Sequence, residues 1–232
     1  MHVTAIVVAA GEGRRIGGKL SKPYRLIAGR AMVLHTLDRC FEARSVDEVI
    51  LVVAANELAR CEALLNADPK LRQRPWRLEK GGDTRQESVL CGLKATKPET
   101  EIVVIHDGAR PLVSPVLIDR CVEVARREGA AIAGVPARDT IKIVSEDRQV
   151  QATPDRNSLW EIQTPQVFRK DLLIEGHERA LREGLSATDD AMLIERMGKP
   201  VFVVEGERSN LKITLPEDIL LAEALFQSSR GS

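Results

Sequence analysis

Ala5-Ile6-Val7-Val8-Ala9-Ala10-Gly11-Glu12-Gly13-Arg14-Arg15-Ile16-Gly17-Gly18-Lys19-Leu20-Ser21-Lys22-Pro23 is the stretch that decides how this chain is read. An apolar, β-branched run passes into small residues and glycines and then into a dense set of cations. That order describes a buried strand delivering a backbone loop to a phosphate chain. Gly11 and Gly13 admit backbone angles closed to other residues, and Ala9 and Ala10 leave room for a polyanion to approach the peptide N–H groups. Arg14, Arg15, Lys19 and Lys22 supply the neutralising charge. A glycine pair alone reads as an ordinary strand-to-helix turn; the cation density in so short a window favours phosphate.

Two familiar phosphate loops do not fit. A dinucleotide fingerprint needs a third glycine where this chain has Ile16, and an acid after the next strand, which closes at Ala54-Ala55-Asn56. A Walker loop needs Ser or Thr after Gly18-Lys19, and Leu20 stands there. The loop belongs to another class of nucleotide binder.

With 232 residues the chain is long enough for one full core, expected over residues 1–226, with 227–232 as a frayed tail. Hydrophobic residues make up 44%, charged residues 29%, and the formal net charge is +0, so no bulk attraction to nucleic acid or membrane follows. An aromatic content of 3% removes the stacking platforms of single-strand binders. Cys40, Cys61, Cys91 and Cys121 lie far apart without a C-x-x-C pair, which indicates neither a zinc site nor a disulfide framework. The lack of a signal-like or membrane-length apolar run makes a cytoplasmic location the expectation.

Outward from the loop, the pattern is β-α-β-α: a helix from Ala31 to Phe41, a strand from Val46 to Ala54, a helix from Glu57 to Leu65. Leu78 opens a short edge segment before the glycine turn Gly81-Gly82-Asp83-Thr84-Arg85, which starts another helix. Asp83 and Ser88 straddle that turn, where local capping competes with ligand binding. Ile102 to Ile105 is a strand ending in His106-Asp107-Gly108; an acid at a buried strand's carboxyl end belongs to the binding crevice of an open α/β sheet. Asp107 is therefore the candidate Mg²⁺ ligand, with phosphates and waters completing the shell, whereas His106 reads as a packed core histidine.

After a helix from Leu117 to Glu128 and a strand from Ala130 to Val135, the pattern breaks. Asp139 to Val144 alternates like a half-exposed strand and Val150 to Thr153 can pair back, which gives a β-hairpin arm over about 136–157. Helices follow over 170–183 and 189–197, then a strand over 201–205, a strand-like stretch holding Lys212, and a helix from Pro216 to Phe226. No nucleophile constellation appears, so the chemistry reads as positioning and charge neutralisation.

Ala9-Ala10-Gly11-Glu12-Gly13-Arg14-Arg15, Gly81 to Val89, His106-Asp107-Gly108-Ala109-Arg110-Pro111, Asp139-Thr140-Ile141-Lys142, Asp155-Arg156-Asn157, Thr164-Pro165-Gln166 and Asn210 to Thr214 occur in one order along the chain. Together they resemble the 2-C-methyl-D-erythritol 4-phosphate cytidylyltransferases of non-mevalonate isoprenoid synthesis. The resemblance implies a Rossmann-like open, mostly parallel α/β sheet flanked by helices, of nucleotide-diphospho-sugar transferase type, with a protruding β-hairpin arm. It implies transfer of a cytidylyl group from CTP to methylerythritol phosphate with Mg²⁺ and release of pyrophosphate. By position, Ala9, Ala10, Gly11 and Gly13 hold the nucleotide through the backbone, and Arg15 and Lys22 hold the triphosphate. Gly82, Asp83 and Ser88 match base and ribose contacts, and Thr164 a further nucleotide contact. Asp107 matches the metal ligand, Lys212 the cation near the α-phosphate, and Arg110 an acceptor contact. The resemblance also implies a homodimer in which the arm crosses over, so that Thr140 and Arg156 serve the neighbouring subunit's acceptor.

The resemblance departs at Ser21-Lys22-Pro23, where the family writes Pro-Lys-Gln. Proline after Lys22 is expected to restrict that lysine to extended angles, with Lys19 as the second candidate. Two other readings share these motifs: a ribitol 5-phosphate cytidylyltransferase, and a nucleotide-binding regulator without catalysis.

Overall fold

The computed structural model describes residues 1–11 and 21–228. Gly13, Arg15 and Lys19, all singled out above, lie outside the described residues. Among those described, seven strands form one sheet in the order β11-β7-β10-β6-β1-β4-β5. The ranges are β1 His2–Val8, β4 Glu48–Val53, β5 Trp76–Lys80, β6 Thr100–Asp107, β7 Ala130–Pro136, β10 Trp160–Arg169 and β11 Phe202–Glu205. Strand β1 pairs in parallel with β4 and β6, β4 with β5, and β7 with β11. Strand β10 alone in this sheet runs antiparallel, wedged between β6 and β7. The expected open, mostly parallel sheet is what the chain forms.

Helices cover both faces, because β1, β4 and β6 are apolar on both sides and must be roofed twice. Val3, Ala5, Val7, Val49 and Leu51 point to the side of helices α1 (Met32–Glu42), α2 (Leu58–Ala67) and α4 (Pro115–Glu128). Ile6, Ile50, Val52, Val103 and Ile105 point to α3 (Arg85–Lys94), α5 (Lys170–Glu183) and α6 (Ala191–Arg196). This is the period-two alternation of a strand, with both phases apolar. A smaller cluster of Ile27, Met32, Ile213, Ala222 and Phe226 packs helix α7 (Pro216–Ser228) beside the end of β6. Two short strands, β2 Leu26–Ile27 and β3 Arg30–Ala31, form a hairpin before α1. All four cysteines are free. No helix among the described residues is long and apolar enough to cross a membrane.

Two sequence expectations change, and one strand forms where none was expected: β10, Trp160–Arg169. In the arm, the strand expected over 139–144 shrinks to β8, Ile143–Val144, paired antiparallel with β9, Val150–Ala152. Residues 139–142 have no strand pairing, and Ile141, Ile143, Val144 and Val150 are exposed on both faces of the arm rather than one. The segment holding Lys212 is irregular, not a strand.

Candidate active site

The site sits where β1, β4 and β6 end, and their loops are stitched together by backbone hydrogen bonds. The Ala9 N–H donates to the Val52 carbonyl at 2.8 Å, Gly81 N–H to Val53 at 2.8 Å, and Gly108 N–H to Val8 at 2.9 Å. The Ala10 and Gly81 loops touch so closely that a Cβ on Gly81 would fall 2.5 Å from the Ala10 Cβ. Only glycine fits there.

A cavity of about 300 Å³ opens between these loops, lined by Ala9, Ala10, Gly11, Lys22, Gly82, Asp83, Arg85, Ser88, Asp107 and Lys212 among others. So nine sequence-derived candidates converge on one hollow: Ala9, Ala10, Gly11, Lys22, Gly82, Asp83, Ser88, Asp107 and Lys212. Thr164, Thr140 and Arg156 do not line it. A neighbouring hollow of about 350 Å³ holds Arg110, Glu161, Gln163 and Asn210, and shares Lys212 with the first.

Helix α3 starts beneath the cavity. Its N-cap is Thr84, whose side chain accepts from the Glu87 N–H at 3.1 Å, while the Glu87 carboxylate accepts from the Thr84 N–H at 2.9 Å. Capping therefore falls to neither Asp83 nor Ser88; Asp83 is exposed and the buried Ser88 hydroxyl donates back to the Thr84 carbonyl at 2.9 Å. The Thr-x-x-Glu spacing is the sequence signal for this cap.

Asp107 is the electrostatic centre. It is 7% exposed and meets Lys212 Nζ at 2.8 Å, Arg85 Nε at 3.3 Å and Arg110 Nε at 3.6 Å. Burial alone would raise its pKa, but Arg85, Lys212 and Arg110 outweigh burial and hold the carboxyl well below the usual carboxylate range. Beneath it, the Asp107 N–H donates to Thr164 Oγ1 at 3.0 Å, and Thr164 in turn meets His106 Nδ1 at 3.0 Å. His106 Nε2 lies 3.2 Å from the Arg110 carbonyl. A carbonyl only accepts, so the proton sits on Nε2 and the Thr164 hydroxyl donates to Nδ1. Burial lowers the His106 pKa to about 4, which keeps this tautomer neutral. His106 is the core histidine the sequence suggests, and Thr164 touches the site through Asp107's backbone.

Lys212 owes its place to anchors on either side. Asn210 Nδ2 donates to the Thr164 carbonyl at 2.9 Å, the Ile213 N–H donates to the Ala109 carbonyl at 2.9 Å, and Asp218 accepts from the Leu215 N–H at 2.8 Å. Arg110 donates to the Asn210 carbonyl at 2.7 Å from the opposite side. An irregular segment is thus fastened at several points along its length. Lys22 opens a short 3-10 turn over Lys22–Tyr24, closed by the Tyr24 N–H to the Ser21 carbonyl at 3.1 Å. This corrects the expectation of extended angles at Lys22. Pro23 lies in the first turn, where a missing N–H costs nothing, and Ser21 is the extended residue at φ −58°, ψ 144°.

Thr140 and Arg156 are exposed on the arm, where Arg156 donates to the Arg138 carbonyl at 3.0 Å. Sequence reasoning misses Asp190, which is 1% exposed and accepts from Arg85 at 2.8 Å. The sequence reading places Asp189 and Asp190 at the start of a helix over 189–197, so nothing local points to the crevice.

With this geometry in view, the 2-C-methyl-D-erythritol 4-phosphate cytidylyltransferase (IspD) family model matches residues 3–228. The enzyme of that name from Caldanaerobacter subterraneus subsp. tengcongensis is 43% identical over 228 residues, covering 98% of this chain and 100% of that protein. The crystal structure of 4-diphosphocytidyl-2C-methyl-D-erythritol synthase from Anaerococcus prevotii superposes with a TM-score of 0.87 at 36% identity, over 97% of this chain and 96% of that one. The 2-C-methyl-D-erythritol 4-phosphate cytidylyltransferase of Thermus thermophilus gives a TM-score of 0.78 at 35% identity, over 97% and 98%. Sequence and fold agree over nearly the full length, and the chain belongs to the 2-C-methyl-D-erythritol 4-phosphate cytidylyltransferase family.

Proposed function

We propose that the chain transfers the cytidylyl group of CTP to 2-C-methyl-D-erythritol 4-phosphate, as one catalytic domain acting in a homodimer in the cytoplasm. The observation that carries this reading is the cavity itself, where the glycine-bearing β1 and β5 loops face the Asp107–Lys212 pair. The Gly82 and Ser88 side receives the base, Ala9 to Gly11 receive the phosphates through the backbone, and the acceptor occupies the second hollow, with Lys212 in the wall of both.

In the reaction, an oxygen of the acceptor phosphate attacks the α-phosphorus of CTP in line. A new P–O bond forms, the bond from the α-phosphorus to the bridging oxygen breaks, and its electron pair leaves on pyrophosphate. The attacking phosphate is already anionic and needs no general base. Lys22 and Lys212 neutralise charge on the phosphoryl oxygens, and Arg15 acts with them by the resemblance. The donor set fits Mg²⁺ arriving with the nucleotide: Asp107 is a buried, ionised carboxylate facing the cavity, and among the described residues no cluster of three or more His, Cys, Asp or Glu encloses an ion by protein alone. When bound there, Mg²⁺ supplies Lewis-acid stabilisation of the phosphate charge.

The arm supports the dimer. Ile141, Ile143, Val144 and Val150 leave an apolar ribbon in water, which a second copy would cover, bringing Thr140 and Arg156 to the partner's acceptor hollow. Pyrophosphate release from CTP with methylerythritol phosphate or ribitol 5-phosphate, with and without Mg²⁺, tests the reading. Mg²⁺-dependent release with methylerythritol phosphate alone is the expected result. Release with ribitol 5-phosphate would move the acceptor, and CTP binding without release from either would leave a regulator.

A further inference from the structure

Arg85 lies outside every role assigned so far, yet it touches the centre of the site. Its guanidinium spans two carboxylates: Nη1 to Asp190 Oδ2 at 2.8 Å and Nε to Asp107 Oδ1 at 3.3 Å. The two acids differ in what else they have. Asp107 also meets Lys212 and Arg110, while Asp190 has, besides Arg85, His177 Nε2 at 3.8 Å. Burial, with Arg85 close by, lowers the His177 pKa to about 4, so that ring is uncharged near neutrality.

Asp190 is fixed independently of Arg85. Gln166, on β10, accepts through Oε1 from the Asp190 N–H at 3.1 Å and the Ala191 N–H at 3.2 Å, and its Nε2 donates to Asp189 at 2.8 Å. The next residue of α3, Gln86, clasps the same loop, donating to the Leu185 carbonyl at 3.2 Å and accepting from the Ala187 N–H at 2.9 Å. The start of α3 is therefore bolted to the loop between α5 and α6.

From this geometry, and resting on the cytidylyl-transfer reading above, we infer that Arg85 is a positioning residue, pinned by Asp190 so that its Nε holds Asp107 Oδ1. A planar fork suits this task, since it engages two carboxylates along fixed directions where a lysine gives one point charge. With Oδ1 held, the carboxylate cannot rotate when Lys212 leaves Oδ2 for a phosphate, and Oδ2 stays turned toward the cavity. Asp190 supplies the fixed end; Arg85 transmits it.

A plain counter-ion role for Arg85 is the competing account, and a double variant separates the two. Arg85→Gln alone strands a buried carboxylate and is expected to lower the melting midpoint as well as turnover. Arg85→Gln with Asp190→Asn replaces the pair by two neutral amides. The expected result is a melting midpoint back near wild type, kcat still at least ~10-fold low and KM for CTP within about 3-fold, with the Asp107 carboxylate rotated in the variant's crystal structure. Turnover that returns together with stability, or an Asp107 carboxylate in its original orientation, would overturn the inference. An effect confined to KM would make Arg85 a nucleotide contact and overturn it too. Should the double variant not regain stability, Arg85→Lys decides: it keeps the charge on Asp190, and full turnover in it contradicts a positioning role while a ~10-fold loss supports it. A wild-type protein without transfer activity counts against the proposed reaction, and the orientation of Asp107 in the crystal still reports on Arg85.

Discussion

Lys22 and Lys212 line the same hollow, Lys22 at the start of a short 3-10 turn and Lys212 in an irregular segment fastened at Asn210 and Ile213. Replacing Lys22 by Ala removes one preorganised charge contact, and kcat is expected to fall ~100-fold or more in a pyrophosphate-release assay. Thr164 makes a second residue-level test. Thr164→Val leaves the Asp107 N–H and His106 Nδ1 without partners, and a loss of about 1–3 kcal/mol in urea unfolding is expected, with Thr164→Ser recovering most of it. Two buried histidines contribute to the pH response. His106 and His177 titrate near 4 in the folded chain, below the ~6.5 of an exposed imidazole, so the unfolded chain binds more protons between those values. The stability these two rings contribute is full above pH ~6.5 and drains as pH falls toward 4. His177→Leu should flatten that slope by up to about 1.4 kcal/mol per pH unit in denaturant titrations. At this scale the sequence exposes Lys22, Asp107 and Lys212 through their neighbours, but not the pairing of Arg85 with Asp190, because their meeting joins positions far apart in the chain.

Among the elements, α3 carries the most consequence. Its capping box orients the turn that lines the cavity, and Gly92 lets the helix lie against β1, where a Cβ would fall 2.4 Å from Ile6 Cγ2. Gly92→Ala is expected to destabilise by about 1–3 kcal/mol in thermal or urea unfolding through overpacking, although alanine is the better helix former. The parallel strands β1, β4, β6 and β7 are legible because each is a short apolar run between helical patterns. The edge strand β5 is visible in part, from Leu78 onward. Strand β10 is not legible: its alternation stops after Ile162, and the buried middle is the polar, proline-bearing Gln163-Thr164-Pro165-Gln166, so no apolar run marks it. Its direction is fixed by the arm that precedes it, which leaves β7 at Pro136 and brings the chain back at Trp160, directly opposite. Thr164 and Gln166 lie on this strand, so the strand that sequence reasoning passes over carries both supports of the carboxylate centre.

For the whole molecule, the arm and the nucleotide cavity are separate parts of one chain, and the proposed crossover makes them parts of one site only between two chains. Mixing Arg156→Ala protein with Lys22→Ala protein, each nearly inactive alone, should restore about a quarter of wild-type turnover if subunits exchange at random, since half the dimers are mixed and half their sites are whole. Sedimentation of the same mixture checks that dimers persist.

Arg85, Arg110 and Lys212 around Asp107, with Lys22 in the same hollow, outnumber Asp83, Asp107 and Asp190 by one, a small positive excess inside a chain whose formal net charge is +0. A molecule so balanced exerts little pull at a distance, while its mouth attracts a triphosphate within roughly a Debye length, ~10 Å at 0.1 M salt. Capture of CTP is therefore a short-range event: its association rate constant should fall as salt is raised from ~0.05 to ~0.5 M in stopped-flow binding, far more than its dissociation rate constant changes.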